Sequence, residues 1–267
     1  MYFSSCSEPK RLVLVHIPAM VAIQLLLIRS VSSLNMTNAY LQHKCIVSEG
    51  KYQPGSVYAK NLNTLIRSTS AGNFRRGFDQ ISRGKGSDSV TFMYQCRGDS
   101  YGSRCRSCYT TALSALRKRC PRNKGGIIWY DQCLMEISST RNDGKIDYNN
   151  NFCVSNMKNA SGSPLEFKQK MVDFLLNLGL KATSEDNMDE NNQAVLYATG
   201  EERVGTKKLY AMVQCTKDLW LKTCYACLEW IILKESDCCD GKLGGRVFST
   251  SCNYRYELYP FIKPTVG

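Results

Sequence analysis

The chain has 267 residues, 35 Lys and Arg against 23 Asp and Glu for a net charge of +12, and 14 cysteines. That many cysteines exclude an ordinary cytosolic protein, where thiols are kept reduced and serve metals or active sites. The length leaves room for one large domain or two small ones.

Lys10 and Arg11 precede an apolar run over residues 12–28, followed by Arg29 and the small residues Ser30, Val31, Ser32 and Ser33. This is the order of a secretory signal peptide, expected to be removed near residue 33. The competing reading is a signal anchor or buried helix, because His16, Pro18 and Gln24 interrupt the run. No later stretch approaches the roughly 20 apolar residues needed to cross a bilayer; the best, residues 171–180, is broken by Asp173 and Asn177. The mature protein is expected to be secreted and soluble, with no transmembrane segment. Asn35 and Asn159 each open an Asn-x-Ser/Thr glycosylation acceptor.

In chain order, Ser56 precedes Tyr58, Leu62, Leu65 and Ile66 at helical spacing, which predicts a first core-facing helix. Residues 90–95 read as a strand, 105–120 as a second helix that points two sulfurs of Cys105-x2-Cys108 to one face, and 127–130 as a strand. Ser163-Pro164-Leu165-Glu166 combines an N-cap, a proline at the first helical position and a capping-box Glu. Phe167, Met171, Phe174, Leu175 and Leu178 continue that helix until Gly179 supplies the stop. Residues 195–198, 209–214, 246–248 and 253–256 read as strands, and 224–235 as a helix.

Cys96, Cys105, Cys108, Cys120 and Cys133 recur as Cys215, Cys224, Cys227, Cys239 and Cys252, each shifted by 119 positions. Five coincident offsets mark a tandem duplication. Cys45 and Cys153 open the copies, 108 apart, which leaves six cysteines per copy with Cys6 and Cys238 unmatched. The expected organisation is a signal peptide over 1–33, a first domain over 34–140, a linker over 141–149 and a second domain over 150–261. The expected class is α+β: two tandem domains, each with two helices packed on one face of an antiparallel sheet.

Cys96-x8-Cys105-x2-Cys108, its copy Cys215-x8-Cys224-x2-Cys227, the stretch Gly244-Gly245-Arg246-Val247 and the run from Ser251-Cys252-Asn253-Tyr254 to Glu257 together resemble the plant cysteine-rich repeat secretory proteins. These are built from two ginkbilobin-2-like domains, and the resemblance covers essentially the whole mature chain. It implies three disulfides per domain: Cys45–Cys120, Cys96–Cys105 and Cys108–Cys133, then Cys153–Cys239, Cys215–Cys224 and Cys227–Cys252. Six cysteines alone allow 15 pairings. Cys238 is left over, and its adjacency to Cys239 makes the choice between them ambiguous; spacing favours Cys239.

The founding member of that family binds mannose through an Asn after the first cysteine, an Arg in the strand before the last cysteine and a Glu five residues beyond it. Arg246 and Glu257 match in the second copy, but Val154 stands where the Asn should be. Ile46, Ile127 and Ser138 occupy all three positions in the first copy. Arg246 and Glu257 are therefore candidate carbohydrate ligands, the alternative being a structural ion pair between neighbouring strands.

Cys105, Cys108, Cys120 and Cys133 could hold zinc, but the signal peptide and a fifth repeated cysteine argue for bridges, so no metal or cofactor is expected. A nucleophile needs a nearby base, and the mature chain has one histidine, His43, with no counterpart in the second copy. Catalysis is not expected. Residues 34–150 carry 18 basic and 8 acidic residues, whereas 151–267 carry 14 of each. Arg97, Arg104, Arg106, Arg117, Lys118, Arg119, Arg122 and Lys124 cluster around the second helix with Asp99 opposing, and Arg117, Lys118 and Arg119 are its candidate polyanion ligands. Against that stands a merely solvated basic face.

The combined expectation is a secreted, non-enzymatic extracellular binding protein, carbohydrate-binding and related to defence or signalling. The alternative is a ligand-free interaction module that contacts receptor ectodomains or an acidic cell-wall polymer. Nucleic acid is not an expected partner outside the cell.

Overall fold

The computed structural model describes residues 38–141, 143–160, 163–205, 207–234 and 237–262; the expected signal segment and Asn35 lie outside them. The first repeat runs β1 (Tyr40–Lys51), α1 (Val57–Ser70), β2 (Phe78–Arg83), β3 (Val90–Cys96), α2 (Ser103–Arg119), β4 (Asn123–Tyr130) and β5 (Cys133–Ser138). The second repeats the series as β6 (Asn151–Ser155), α3 (Pro164–Ala182), β7 (Tyr197–Val204), β8 (Lys207–Cys215), α4 (Leu221–Leu233), β9 (Gly245–Ser249) and β10 (Cys252–Glu257). Each repeat makes one five-stranded antiparallel sheet, ordered β1-β4-β5-β3-β2 and β6-β9-β10-β8-β7, so the α+β class read from the sequence holds in both copies.

Local chemistry accounts for the helix starts. Ser56 Oγ accepts from the Ala59 amide at 3.2 Å, and Ser163 Oγ from the Glu166 amide at 3.3 Å, with Pro164 in the first turn. Gly179 does not end α3 as expected, and the helix continues to Ala182. A Cβ on Gly179 would lie 3.6 Å from the Tyr225 ring of α4, an ordinary contact distance, so neither helix packing nor termination demands glycine here. The strand expected over 195–198 starts two residues later, because Leu196 takes a positive φ of 52° just before β7.

Each sheet buries one face under its two helices. Phe92, Tyr94, Met135 and Ile128 meet Tyr58, Leu62, Tyr109 and Leu116 in the first repeat. Val213, Tyr254, Val247 and Leu209 meet Leu175, Leu178, Leu228 and Ile231 in the second. The alternate residues of the same strands point the other way, as a period of two requires. Met93, Ile127, Trp129 and Leu134 on that side form a third cluster with Phe248 and Phe152 of the second repeat. The repeats, which belong to one compact unit beginning at Leu41, thus pack sheet against sheet through their helix-free faces. This explains why all seven residues of β3 are buried.

The bridges are Cys45–Cys120, Cys96–Cys105, Cys108–Cys133, Cys215–Cys224, Cys227–Cys252 and Cys153–Cys238. The last differs from the expected Cys153–Cys239 and leaves Cys239 as a buried thiol. Both cysteines belong to one 3-10 turn, Asp237–Cys239, that faces Cys153, so either sulfur is presented to it. The four cysteines considered for zinc are divided among three bridges.

Two helices and five strands give each repeat a modest core, and loss of a native bridge from a small secreted domain costs roughly 2–5 kcal/mol. Excess reductant is therefore expected to abolish both cooperative thermal unfolding and the native far-UV circular dichroism of the chain; retention of both would show that the bridges are dispensable.

Candidate functional site

The sheet-to-sheet junction carries most of the unusual chemistry. Two glutamines at equivalent positions, 119 residues apart, reach across it reciprocally. Gln95 Oε1 accepts from the Lys217 amide at 3.2 Å, and Gln214 Oε1 accepts from the Gly98 amide at 3.3 Å. Gly98 and Lys217 are themselves an equivalent pair, so the contacts describe a pseudo-two-fold axis. Around it Trp129 stacks edge-on against Phe152 at 5.1 Å and donates its indole N–H to the Ser249 carbonyl at 3.2 Å.

At one end of the axis lie Arg246 and Glu257. Antiparallel pairing sets Arg246 of β9 directly opposite Arg255 of β10. Two like charges at that spacing repel. Asp131, at the tip of the β4–β5 hairpin of the first repeat, inserts between them: its Oδ1 lies 2.6 Å from Arg246 and 3.1 Å from Arg255. Its Oδ2 receives Arg97 at 3.1 Å, and Arg97 also pairs with Asp99 at 2.6 Å. Glu257 accepts from Arg255 at 3.0 Å and lies 3.5 Å from Arg246. Three guanidinium groups thus meet three carboxylates, and Phe261 covers Arg255 at 4.0 Å.

The structure does bring the three family positions together, since Val154 pairs with Arg246 across β6 and β9. Val154 offers no polar atom, Glu257 is 7% exposed and Arg246 is committed to Asp131. In the first repeat Ile46 and Ile127 are part of the apolar junction, and Ser138 donates to Glu49 at 2.7 Å.

The other end of the axis is built differently. Glu136 occupies the position equivalent to Arg255, Ile127 that of Arg246, Thr250 that of Asp131 and Thr216 that of Arg97. Glu136 lies with Asp147, Asp218, Thr216 and Thr250 around a small cavity of about 40 Å³. Among the described residues no group pairs with its carboxylate, and the Asp218 Oδ1 atom is buried without a partner. Burial, reinforced by the charges of Asp147, Glu49 and Asp218, pushes the Glu136 carboxyl up to about 8. Nothing in the sequence reading singled out Glu136, Asp131 or the two glutamines. Comparing the copies position by position outside the cysteines would have found Gln95 with Gln214 and the contrast of Glu136 with Arg255.

The basic cluster is real but smaller than expected. Arg97 is not on it, being 5% exposed and buried on Asp131 and Asp99, which also removes Asp99 as an opposing surface charge. Arg106 donates to the Ser70 and Gly72 carbonyls at 3.0 and 2.6 Å and lies over Phe74, while Lys124 donates to the Ser87 carbonyl at 2.7 Å. Arg104, Arg117, Lys118, Arg119 and Arg122 remain exposed, the middle three in the last turn of α2. Basic side chains there complement the helix dipole. Among the described residues no carboxylate forms an ion pair with Arg117, Lys118 or Arg122. Asn159 is exposed, its side-chain oxygen accepting from Lys242 at 2.8 Å.

Two segments, 44–140 and 152–259, match the family model described as salt stress response/antifungal. The chain is 88% identical over 266 residues, and over 100% of both chains, to cysteine-rich repeat secretory protein 20 of Arabidopsis thaliana. It is 58% identical over 250 residues to cysteine-rich repeat secretory protein 42 of the same plant, spanning 93% of this chain and 97% of that one. Among solved structures it is similar to the tandem DUF26 ectodomain of the Arabidopsis cysteine-rich receptor-like protein PDLP8. The TM-score is 0.69 at 22% identity, covering 83% of this chain and 99% of that chain. The corresponding ectodomain of PDLP5 gives 0.61 at 21%, covering 83% and 100%. No helix among the described residues is long and apolar enough to cross a membrane.

Two outcomes follow from the unlike ends of the junction. Removing one carboxylate from the ionic end leaves a buried guanidinium uncompensated, so Glu257→Ala is expected to destabilise the chain by about 3–5 kcal/mol. Added mannose is expected to leave the melting temperature of the wild type unmoved; a mannose-dependent rise that Glu257→Ala abolishes would restore Arg246 and Glu257 as sugar ligands. At the other end the folded carboxyl of Glu136 titrates near 8 and the free one near 4.5, so the folded state holds this proton more tightly. The stability it confers is complete below pH about 4.5 and is lost as pH rises through about 8. Glu136→Gln is expected to raise the melting temperature at pH 8 and leave it nearly unchanged at pH 4.5, read by calorimetry; an equal shift at both pH values would refute the assignment.

Proposed function

Because the chain belongs to the salt stress response/antifungal family and is a secreted, extracellular protein, we propose that it acts without catalysis, as a binding protein whose recognition surface is the basic end of α2. The partner we propose is an acidic polymer of the cell wall, such as a polyuronate. The observation that carries this reading is the exposed cluster Arg104, Arg117, Lys118, Arg119 and Arg122, of which Arg104, Arg117, Lys118 and Arg122 are not consumed by the fold in the way that Arg97, Arg246 and Arg255 are. A polyanion holds condensed counterions, and each contact that displaces one adds salt-sensitive affinity. The screening length is about 8 Å at physiological ionic strength, so only charges gathered on one surface act together. The last turn of α2 gathers three of them within one helical turn.

Support for a simple sugar site at Arg246 and Glu257 is weaker, because their polar atoms are already paired and the family's Asn is Val154. Defence or signalling, in this reading, would follow from retention at the wall and not from a soluble monosaccharide.

The test uses the whole chain, since separating the repeats would expose Trp129, Phe152 and Phe248. Arg117→Glu, Lys118→Glu and Arg119→Glu together change the local charge by six units without touching a cysteine. Retention of the wild type on immobilised polygalacturonate is expected to fall steeply between about 50 and 200 mM salt, and the triple variant is expected to elute near the void at the lower value. Equal retention of wild type and variant, with the variant's melting temperature intact, would reduce the cluster to a solvated face.

A further inference from the structure

The Cys153, Cys238 and Cys239 sulfurs all lie within 4.8 Å of one another. Cys153 is bonded to Cys238, yet the Cys239 sulfur stands 3.3 Å from Cys153 and 3.8 Å from Cys238. The repeat register points to the other partner. In the first copy the position equivalent to Cys239 is Cys120, and it is Cys120 that bonds Cys45. A glycine faces the sulfur in both copies: at Gly126 an added Cβ would sit 3.6 Å from the Cys120 sulfur, an ordinary contact distance. Its equivalent Gly245 lies so close to the Cys239 sulfur that no Cβ could be accommodated. Cys239 thus occupies the sulfur site that carries the bridge in the first repeat, while Cys238 is exposed.

We propose that this trio is a thiol–disulfide exchange site, at which the second repeat interconverts between a Cys153–Cys238 bridge with a buried Cys239 thiol and a Cys153–Cys239 bridge with an exposed Cys238 thiol. The Cys239 thiolate attacks the Cys153 sulfur, the Cys153–Cys239 bond forms, the Cys153–Cys238 bond breaks, and Cys238 leaves as a thiolate that takes up the proton Cys239 gave up. No oxidant or reductant is consumed. In-line attack requires rotation of the side chains within the 3-10 turn that carries both cysteines. The exposed Cys238 thiolate can then attack a small disulfide of the glutathione class, forming a mixed disulfide and releasing one small thiol. Exchange converts a hidden thiol into a modifiable one.

The rate is governed by the buried thiol. Burial pushes Cys239 up to about 11, and Asp240 opposes its ionisation further, while the Tyr254 hydroxyl and the Arg246 backbone favour it; Tyr256 also faces it. Below that value the thiolate fraction rises tenfold per pH unit.

The folded full-length chain would be incubated with N-ethylmaleimide between pH 6 and 9, quenched with acid and mapped under non-reducing conditions. Both bridges are expected in the starting material. Label should accumulate on Cys238 in step with Cys153–Cys239, at a rate rising about tenfold per pH unit. Oxidised glutathione in place of the maleimide should give one adduct on Cys238. Cys238→Ser is expected to fold with a Cys153–Cys239 bridge and Cys239→Ser with Cys153–Cys238, and neither should label at the remaining cysteine of the pair. A single bridge in all the material, label on Cys239, or failure of Cys238→Ser to form the alternative bridge would each overturn the proposal.

Discussion

Arg246 and Arg255 face each other across two hydrogen-bonded strands, and the junction of the two repeats is arranged around the carboxylate that keeps them there. Like charges in such a pair repel, and Glu257 of β10, 3.0 Å from Arg255 and 3.5 Å from Arg246, offers a single carboxylate to two guanidinium groups. Asp131 comes from the other copy, at the tip of a hairpin whose strands also present Trp129 and Leu134 to the junction. Apolar contact and ionic closure therefore depend on one another. Burial of the aromatic cluster brings the hairpin tip into place, and the hairpin tip makes the arginine pair tolerable. With Arg97, Asp99 and Glu257 the group is balanced, three positive charges against three negative, which is the condition under which buried charge is not prohibitively costly.

Duplication gave two surfaces of the same shape, and each found its partner in the other. The reciprocal glutamine contacts are the residue of that symmetry: Gln95 and Gln214 play the same part toward Lys217 and Gly98. Around them the symmetry is broken in a consistent direction. Where one end has Arg255, Arg246, Asp131 and Arg97, the other has Glu136, Ile127, Thr250 and Thr216. A second ionic cluster would have doubled the desolvation of charge. The second end instead holds one carboxyl that burial keeps protonated up to about pH 8, so that end loses stability as pH rises through this value.

The duplication, the α+β class and the helix starts were legible because they rest on local chemistry: cysteine spacing, Ser56, and Ser163 followed by Pro164. The edge strands β1, β2 and β6 were not, because residues such as His43, Lys44, Asp79 and Gln80 give them no apolar run. β5 was missed because Glu136 interrupts it, and Thr216, Asp218 and Thr250 around that residue come from the opposite repeat. Arg97 was misplaced for the same reason. A basic residue beside α2 reads as surface until Asp131 is known to lie 3.1 Å away. Gly179 signalled a helix end locally, yet the helix continues to Ala182, which is buried in the core. What the sequence concealed in every case was the partner across a tertiary contact.

The junction also constrains where recognition can occur. The helix-free faces are spent on each other, and the Arg and Glu that a sugar-binding relative would use are spent on closing that contact. What remains for a partner is the outer, helical side and the sheet edges. There the basic residues of the first repeat divide between those that hold the fold and those that do not. Arg106 and Lys124 hold backbone carbonyls, but Arg117, Lys118 and Arg122 hold nothing that the fold requires among the described residues. A chain that needed charge only for solubility could spread it over both repeats; here residues 151–267 have no net charge and the excess lies in the first repeat, five of its exposed basic residues lying on or beside α2. Segregation of that kind gives the molecule a polarity of charge that the nearly symmetric fold does not.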